Sequence, residues 1–184
     1  MRFLILIVFL ISCKTNKNRT ISLPEIGWSF ELPKNISFKD SAFGGDGKIN
    51  QPLKMTSFST PMLQLFWIES DKDNYFNTLI FVDSSDGSDW TNKIIADSKY
   101  YLSELSTLEN YKIVDTSLST EIIDRTTLQR EYFKIHNMIN NGNVSSYKFS
   151  RKFGHYSVFV NIRFADETIG NRYLEILRNS KFAR

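Results

Sequence analysis

The chain is short of the residues that metal proteins and many hydrolases rely on. It has one cysteine, Cys13, and two histidines, His136 and His155. A single cysteine excludes an internal disulfide, so the domain that follows it must be stable by core burial alone. A zinc site needs about three or four converging ligands, and no such spacing occurs. Charge of one sign is lacking as well. The chain holds 23 Lys plus Arg against 20 Asp plus Glu, a formal net charge of +3. Its pI near 8.9 reflects that small excess and not a basic stripe, which gives no electrostatic case for nucleic acid as a partner. There is no long apolar run, no internal repeat and no linker between domains. The longest apolar stretch, residues 3–11, is less than half of the ~20 residues that a spanning helix needs.

That stretch follows Met1-Arg2 and is followed by Lys14, Lys17 and Arg19. One positive charge and then a short apolar run is the pattern of an export signal. The run ends in Leu10-Ile11-Ser12-Cys13. This resembles the lipobox of bacterial lipoproteins, with Leu10, Ser12 and Cys13 in place and Ile11 where a small residue is more usual. The resemblance implies a signal peptide over residues 1–12, removed before Cys13. It implies a diacylglycerol on the Cys13 thiol and an acylated new amino group. Residues 13–20 would then be the lipidated cysteine and a polar tether. Each buried methylene contributes about 0.8 kcal/mol, so two or three acyl chains on one residue hold where one chain is marginal. The implied location is the bacterial cell envelope, at the periplasmic face of the outer membrane in preference to the cell surface.

Residues 21–184 form one domain of ordinary size by this reading. Fifteen Phe, eight Tyr and three Trp are available to it, and a phenyl ring has no polar handle to satisfy, so most Phe belong in a core. Trp28-Ser29-Phe30-Glu31-Leu32 alternates and stops at Pro33, which predicts a strand. Residues 62–68 and 78–82 read as buried strands joined by a long polar connection over 69–77. Trp90, Ile94, Tyr101 and Leu105 recur at helical spacing, with Ile95 and Leu102 widening the face and Ser88 or Asp89 as the cap. Residues 111–118 predict another strand. A three-stranded meander follows, turning at Asn141-Gly142 and Gly154, with Tyr156, Val158, Val160, Ile162 and Phe164 on the inner face of its last strand. A closing helix starts near Asp166 and turns Ile169, Tyr173, Ile176 and Leu177 inward. The expected class is α+β, an antiparallel sheet with helices on both faces.

Two segments carry a further resemblance. Gly27-Trp28-Ser29-Phe30-Glu31-Leu32-Pro33-Lys34 is similar to the opening strand of the PsbP-like fold, and residues 173–182 are similar to its closing helix and Ser-Lys-Phe ending. The resemblance implies an α/β/α sandwich over residues 21–184. It implies a binding or assembly factor and not an enzyme, and it transfers no functional residue, because fold does not fix function.

The remaining candidates have ordinary explanations. If the 141–142 turn pairs its flanking strands, His136 lies near Tyr147 and His155 roughly 26 Å further on, at about 3.3 Å per residue. The two cannot share a metal or a proton relay. Asp71 and Asp73 precede the 78–82 strand, while Asp83, Asp86 and Asp89 follow it, and the latter trio misses the EF-hand spacing. Turn formation and helix capping account for them. Gly44-Gly45-Asp46-Gly47 lacks the Lys-Ser/Thr ending of a phosphate loop. No serine sits in a Gly-x-Ser-x-Gly elbow. Trp28, Trp67 and Trp90 could stack on sugars or grip a protein, although core packing is the plainer expectation. The expectation is therefore a lipid-anchored envelope protein that binds a protein partner, with no catalytic, cofactor or metal site. The alternative is an envelope hydrolase whose site is assembled from scattered carboxylates and serines.

Overall fold

The computed structural model describes residues 18–41, 62–83, 87 and 89–183. Cys13 with its lipobox, residues 44–47 and Asp86 lie outside the described residues. The strands are β1 (Arg19–Leu23), β2 (Trp28–Leu32), β3 (Asp40–Ser41), β4 (Met62–Asp71), β5 (Asn74–Val82), β6 (Tyr111–Ile123), β7 (Thr126–Asn137), β8 (Gly142–Phe153), β9 (Tyr156–Phe164) and β10 (Lys181–Phe182). The helices are α1 (Trp90–Ser106) and α2 (Glu167–Arg178). Seven strands form one antiparallel sheet in the order β3-β4-β5-β9-β8-β7-β6, and β1, β2 and β10 form a smaller one. The class is α+β and the sheet dominates it. Among the described residues no helix is long and apolar enough to cross a membrane.

The inner face follows from alternation. Val158, Val160, Ile162 and Phe164 are all buried, and Tyr156 is half-buried. They stand opposite Ile80, Thr78 and Phe76 on one side and Phe149 and Tyr147 on the other. α2 covers this face with Tyr173, Leu174, Ile176 and Leu177, while Ile169 is only half-buried. The Tyr173 ring meets Phe76 at 5.8 Å, and its hydroxyl lies 2.9 Å from Ser70 Oγ. Asp166 caps the helix by accepting from the Thr168 and Ile169 amides. The small sheet adds Trp28 and Phe30 to Phe66 and Phe76 in one aromatic cluster. Phe182 stacks on both Trp28 and Phe153. Gly27, at φ 65°, lets the chain end pass close, since a Cβ there would lie 2.7 Å from the Ala183 carbonyl oxygen.

Several sequence expectations change. The polar stretch 69–77 is not a long connection. β4 runs on to Asp71 and β5 starts at Asn74, so the hairpin turns in two residues. Within that stretch Asn74, Phe76 and Asn77 are buried, and Ile68 just before it lies in the core. β6 extends to Ile123 and joins β7, β8 and β9, which makes the meander four strands long. Arg19 and Thr20, expected in the tether, belong to β1. His136 pairs with Asn143, not Tyr147, because the loop is residues 138–141, centred on Ile139 and Asn140 and not on Asn141-Gly142. Its Nδ1 lies 3.0 Å from Asn143 Oδ1.

α1 also departs from expectation. Trp90, Ile94 and Ser98 are buried, but Tyr101 is 48% exposed and Ile95, Leu102 and Leu105 are only half-buried. A polar latch holds its first turn. Trp90 Nε1 donates to Ser157 Oγ at 2.8 Å, and Ser157 donates to Asp83 at 2.8 Å. Lys152 pairs with the Asp83 carboxylate at 3.2 Å. Asp89 occupies the cap position, yet its carboxylate accepts from the Asn92 side chain and not from a helix amide. Phe159 is half-buried. It meets Phe81 edge-on at 5.3 Å and lies under Lys148 Nζ at 5.2 Å.

Glu121 on β6 ties the end of α2 to the sheet. Arg178 Nε donates to it at 2.7 Å, and Arg130 Nη1 lies at 3.3 Å. Burial pushes the Glu121 pKa up, but hydrogen bonds and charge from Arg178, with Arg130 behind, outweigh this and hold it below its ordinary 4.5. A carboxylate whose pKa is lowered by folding stabilises above its unfolded pKa, and that contribution fades as pH falls through the folded pKa. Glu121→Gln should therefore cost on the order of 1 kcal/mol at pH 7, and the gap to wild type should close in acid below pH ~4. Melting temperatures of the two proteins from pH 3 to pH 7 check this; a constant gap would remove the linkage.

A polar and aromatic cleft beside helix α1

The face of the sheet opposite α2 carries two cross-strand rows. Opposed residues of neighbouring strands share a face, so the register alone defines them. One row reads Glu131, Lys148, Asn161, Asn77 and Trp67. The next reads Phe133, Ser146, Arg163, Tyr75 and Glu69. Five strands thus bring charged, amide and aromatic groups side by side at about 4.8 Å per strand.

Ser146 is the smallest side chain of its row, set between Phe133 and Arg163, and the surface dips there. The Tyr101 ring, from the less buried half of α1, meets Phe133 edge-on at 5.7 Å and roofs one side. The result is a cavity of about 210 Å³ lined by Tyr75, Tyr101, Glu131, Phe133, Ser146, Lys148, Asn161 and Arg163. Trp67 stacks on Tyr75 at 4.8 Å and backs the outer wall. Burial raises the pKa of the Tyr101 phenol, with Arg163 pulling it down and Tyr75 adding to the rise.

The charges in the cleft are loosely held. Glu131 is 7% exposed, and Lys148 Nζ approaches its two oxygens at 3.3 and 3.4 Å. These are long for a charge-assisted bond, which is about 2.7–2.9 Å. Glu131 Oε1 is buried and makes no hydrogen bond. Arg163 lies 3.9 Å from Asp73, and its buried Nε makes no hydrogen bond. Asn161 Nδ2 donates to Asn77 Oδ1 at 2.9 Å, which fixes the amide planes. Asn161→Asp would lose this donor and set a carboxylate next to Lys148, two strands from Glu131. A shallower depression beside Trp90, lined by Thr127, Gln129, Ser150, Arg151 and Lys152, holds no carboxylate.

None of the residues singled out from sequence as site candidates lines the cleft. His136 stands opposite Asn143, and His155 lies just past the end of β8, so the length of that strand separates them. Asp71 accepts from the Asp73 amide and the Asn74 side chain, as a turn residue does. Asp83 belongs to the α1 latch. Among the described residues no three His, Cys, Asp or Glu side chains converge to hold a metal ion. Trp28 and Trp90 are buried, while Trp67 is half-buried behind the cleft. The cleft residues themselves went unrecognised because polar positions alternating with apolar ones read as a solvent face. The one usable signal was the charged and aromatic mixture at Glu131, Phe133, Lys148 and Arg163.

No known family profile matches the chain, and no characterised protein matches it in sequence. Its fold is similar to the solution structure of cyanobacterial PsbP (CyanoP) from Synechocystis sp. PCC 6803, with TM-score 0.51 and 10% identity over 94% of this chain and 96% of that one. The domain is therefore PsbP-like in fold. A Pseudomonas aeruginosa protein of unknown function, PA94, aligns over 91% of this chain and 98% of its own with TM-score 0.40 and 11% identity.

Proposed function

We propose that the protein is a lipid-anchored binding protein of the bacterial cell envelope, and that the cleft beside α1 is its binding surface. The observation that carries the reading is the cleft itself, about 210 Å³, in which Tyr75, Tyr101 and Phe133 stand beside Lys148, Asn161 and Arg163. A concave site that mixes aromatic surface with a few convergent polar groups is where small ligands bind. The layers suit this role. Ser157 and Phe133, which α1 touches, alternate with the α2-covered residues, so α1 and α2 take opposite faces in an α/β/α sandwich. α2 and the small sheet make the core, and α1, latched at one end, leaves the cleft open at the other.

The anchor is Cys13, with residues 1–12 as the signal and the outer membrane's periplasmic face as the site. Cys13→Ser removes the thiol that is alkylated. Metabolic labelling with a fatty-acid probe should mark the wild type and leave the variant unlabelled. Equal labelling of both would remove the anchor. Binding at the cleft is tested separately with Ser146→Leu, which fills the dip. Small-molecule binding seen by ligand-observed NMR should disappear in that variant while its melting curve stays cooperative.

A further inference from the structure

We infer that β6 is the interface through which two copies of this chain pair edge to edge, in one continuous antiparallel sheet. β6 is the outermost strand of the large sheet, and among the described residues nothing pairs with its free edge. At the other edge stands β3, two residues long, whereas β6 runs for 13 residues. An open edge of that length presents a row of unpaired amides and carbonyls, and monomeric proteins blunt such edges with Lys, Pro or bulges. Here the one bulge falls between Ile113 and Asp115. Beyond it, from 116 to 123, there is no Pro or Lys, and the single charged residue, Glu121, is turned to Arg178. Exposed apolar side chains gather on the same edge. Val114, Leu118 and Ile122 stand 53%, 41% and 70% exposed, and Leu108, Met138 and Ile139 are exposed beside its first residues.

The order of residues along β6 points to a second copy as the occupant. Thr116, Leu118, Thr120 and Ile122 lie opposite Phe133, Glu131, Gln129 and Thr127 of β7, so they share the α1 face of the sheet. With Val114 at the bulge, that face reads apolar, Thr, apolar, Thr, apolar, a pattern symmetric about Leu118. A two-fold axis there sets Leu118 against Leu118, Thr116 against Thr120 and Val114 against Ile122. Cross-strand apolar and Thr–Thr pairs of this kind are favourable, and a two-fold interface requires such self-complementarity. The other face supplies the charges. Arg178 and Arg130 share the one Glu121 carboxylate. Asp115 stands opposite Lys134 on β7, and no ion pair joins the two. In the same register Asp115 falls against Glu121 of the second copy. Each copy thus brings a second carboxylate to two guanidiniums that hold one.

Disulfide trapping in the full chain, in detergent micelles, tests the pairing. In a Cys13→Ser background each variant carries a single thiol. Leu118→Cys meets its own mate across the axis, where opposed Cα atoms are about 4.5–5.5 Å apart and a disulfide fits. Ile122→Cys leaves its mates eight residues apart along the strand, roughly 26 Å at about 3.3 Å per residue. On mild oxidation Leu118→Cys should form a linked dimer about tenfold faster than Ile122→Cys. Mixing Val114→Cys with Ile122→Cys should give the mixed dimer. Sedimentation of the wild type in density-matched micelles needs no variant and should show a dimer, which Leu118→Arg dissociates by setting like charges across the axis. Equal linking rates at 118 and 122 would overturn the pairing, since they mean random collision. So would a wild type that stays monomeric at about 100 μM, where a pairing of micromolar affinity is populated.

Discussion

Val160→Asp should leave the protein unable to fold cooperatively at pH 7. Val160 is 4% exposed at the centre of β9, directly opposite Thr78 on β5 and Phe149 on β8, both fully buried. Of its two cross-strand neighbours only Thr78 has a polar side-chain atom, Oγ1, itself without a hydrogen-bond partner. One hydroxyl can return about 1.5–3 kcal/mol to a carboxylate. An unpaired buried charge costs several kcal/mol beyond that, and a domain has only about 5–15 kcal/mol in total. Circular dichroism at pH 7 should show lost or non-cooperative melting. The deficit should shrink as pH falls towards 4, because burial raises the carboxyl pKa and the neutral acid is cheaper to bury. Val160→Thr, of similar volume, separates the effect of charge from that of shape. A Val160→Asp protein that melted within a few degrees of wild type would mean that β9 is not the centre of the core.

Gly170→Ala should be destabilising even though it replaces glycine inside a helix. On an exposed helix the change gains about 1 kcal/mol. Here a Cβ would lie 2.2 Å from Phe164 Cγ and 2.4 Å from both Cδ atoms, over the face of the ring. Phe164 is 3% exposed and stacks on Tyr147 at 6.1 Å, so it has little room to yield. Overpacking of this kind costs about 1–3 kcal/mol and occasionally more, and the helix gain offsets only part of it. The net expectation is a loss of about 1 kcal/mol, read as a lowered urea midpoint at unchanged slope. Phe164→Leu should be destabilising alone but should make Gly170→Ala less harmful, since the smaller side chain vacates the space. Additive losses in the double variant would show that the ring is not what Gly170 accommodates.

Local pattern and chain register divide what could be read early from what could not. Strands with one buried face and helices with one buried stripe carry their period in the sequence. The series Val158, Val160, Ile162 and Phe164, the Trp28–Leu32 strand and the inward face of α2 were therefore legible. α1 was legible only in part, because its period specifies a stripe but not how far the sheet beneath extends to cover it. Tyr101 keeps helical spacing and still stands 48% exposed. The 69–77 segment misled for a related reason: its mostly polar residues are the ends of two strands across a two-residue turn, which composition alone does not distinguish from a loop.

By itself the sequence determined the alternation of the Trp28–Leu32 and Tyr156–Phe164 strands, the two helices and the absence of an internal disulfide. Each of these is a property of neighbours along the chain, set by backbone period or by a short motif. Only the tertiary structure decided that β5 pairs with β9, and so that Tyr75 and Asn77 stand beside Arg163 and Asn161. It alone placed Glu131 two strands from Arg163, and Tyr101 over Phe133. The cleft is made of residues from β5, β7, β8, β9 and α1, and strand order is settled by which apolar faces bury one another best across long sequence separations. No local signal carries that information, so the candidate site became visible only once the sheet was assembled.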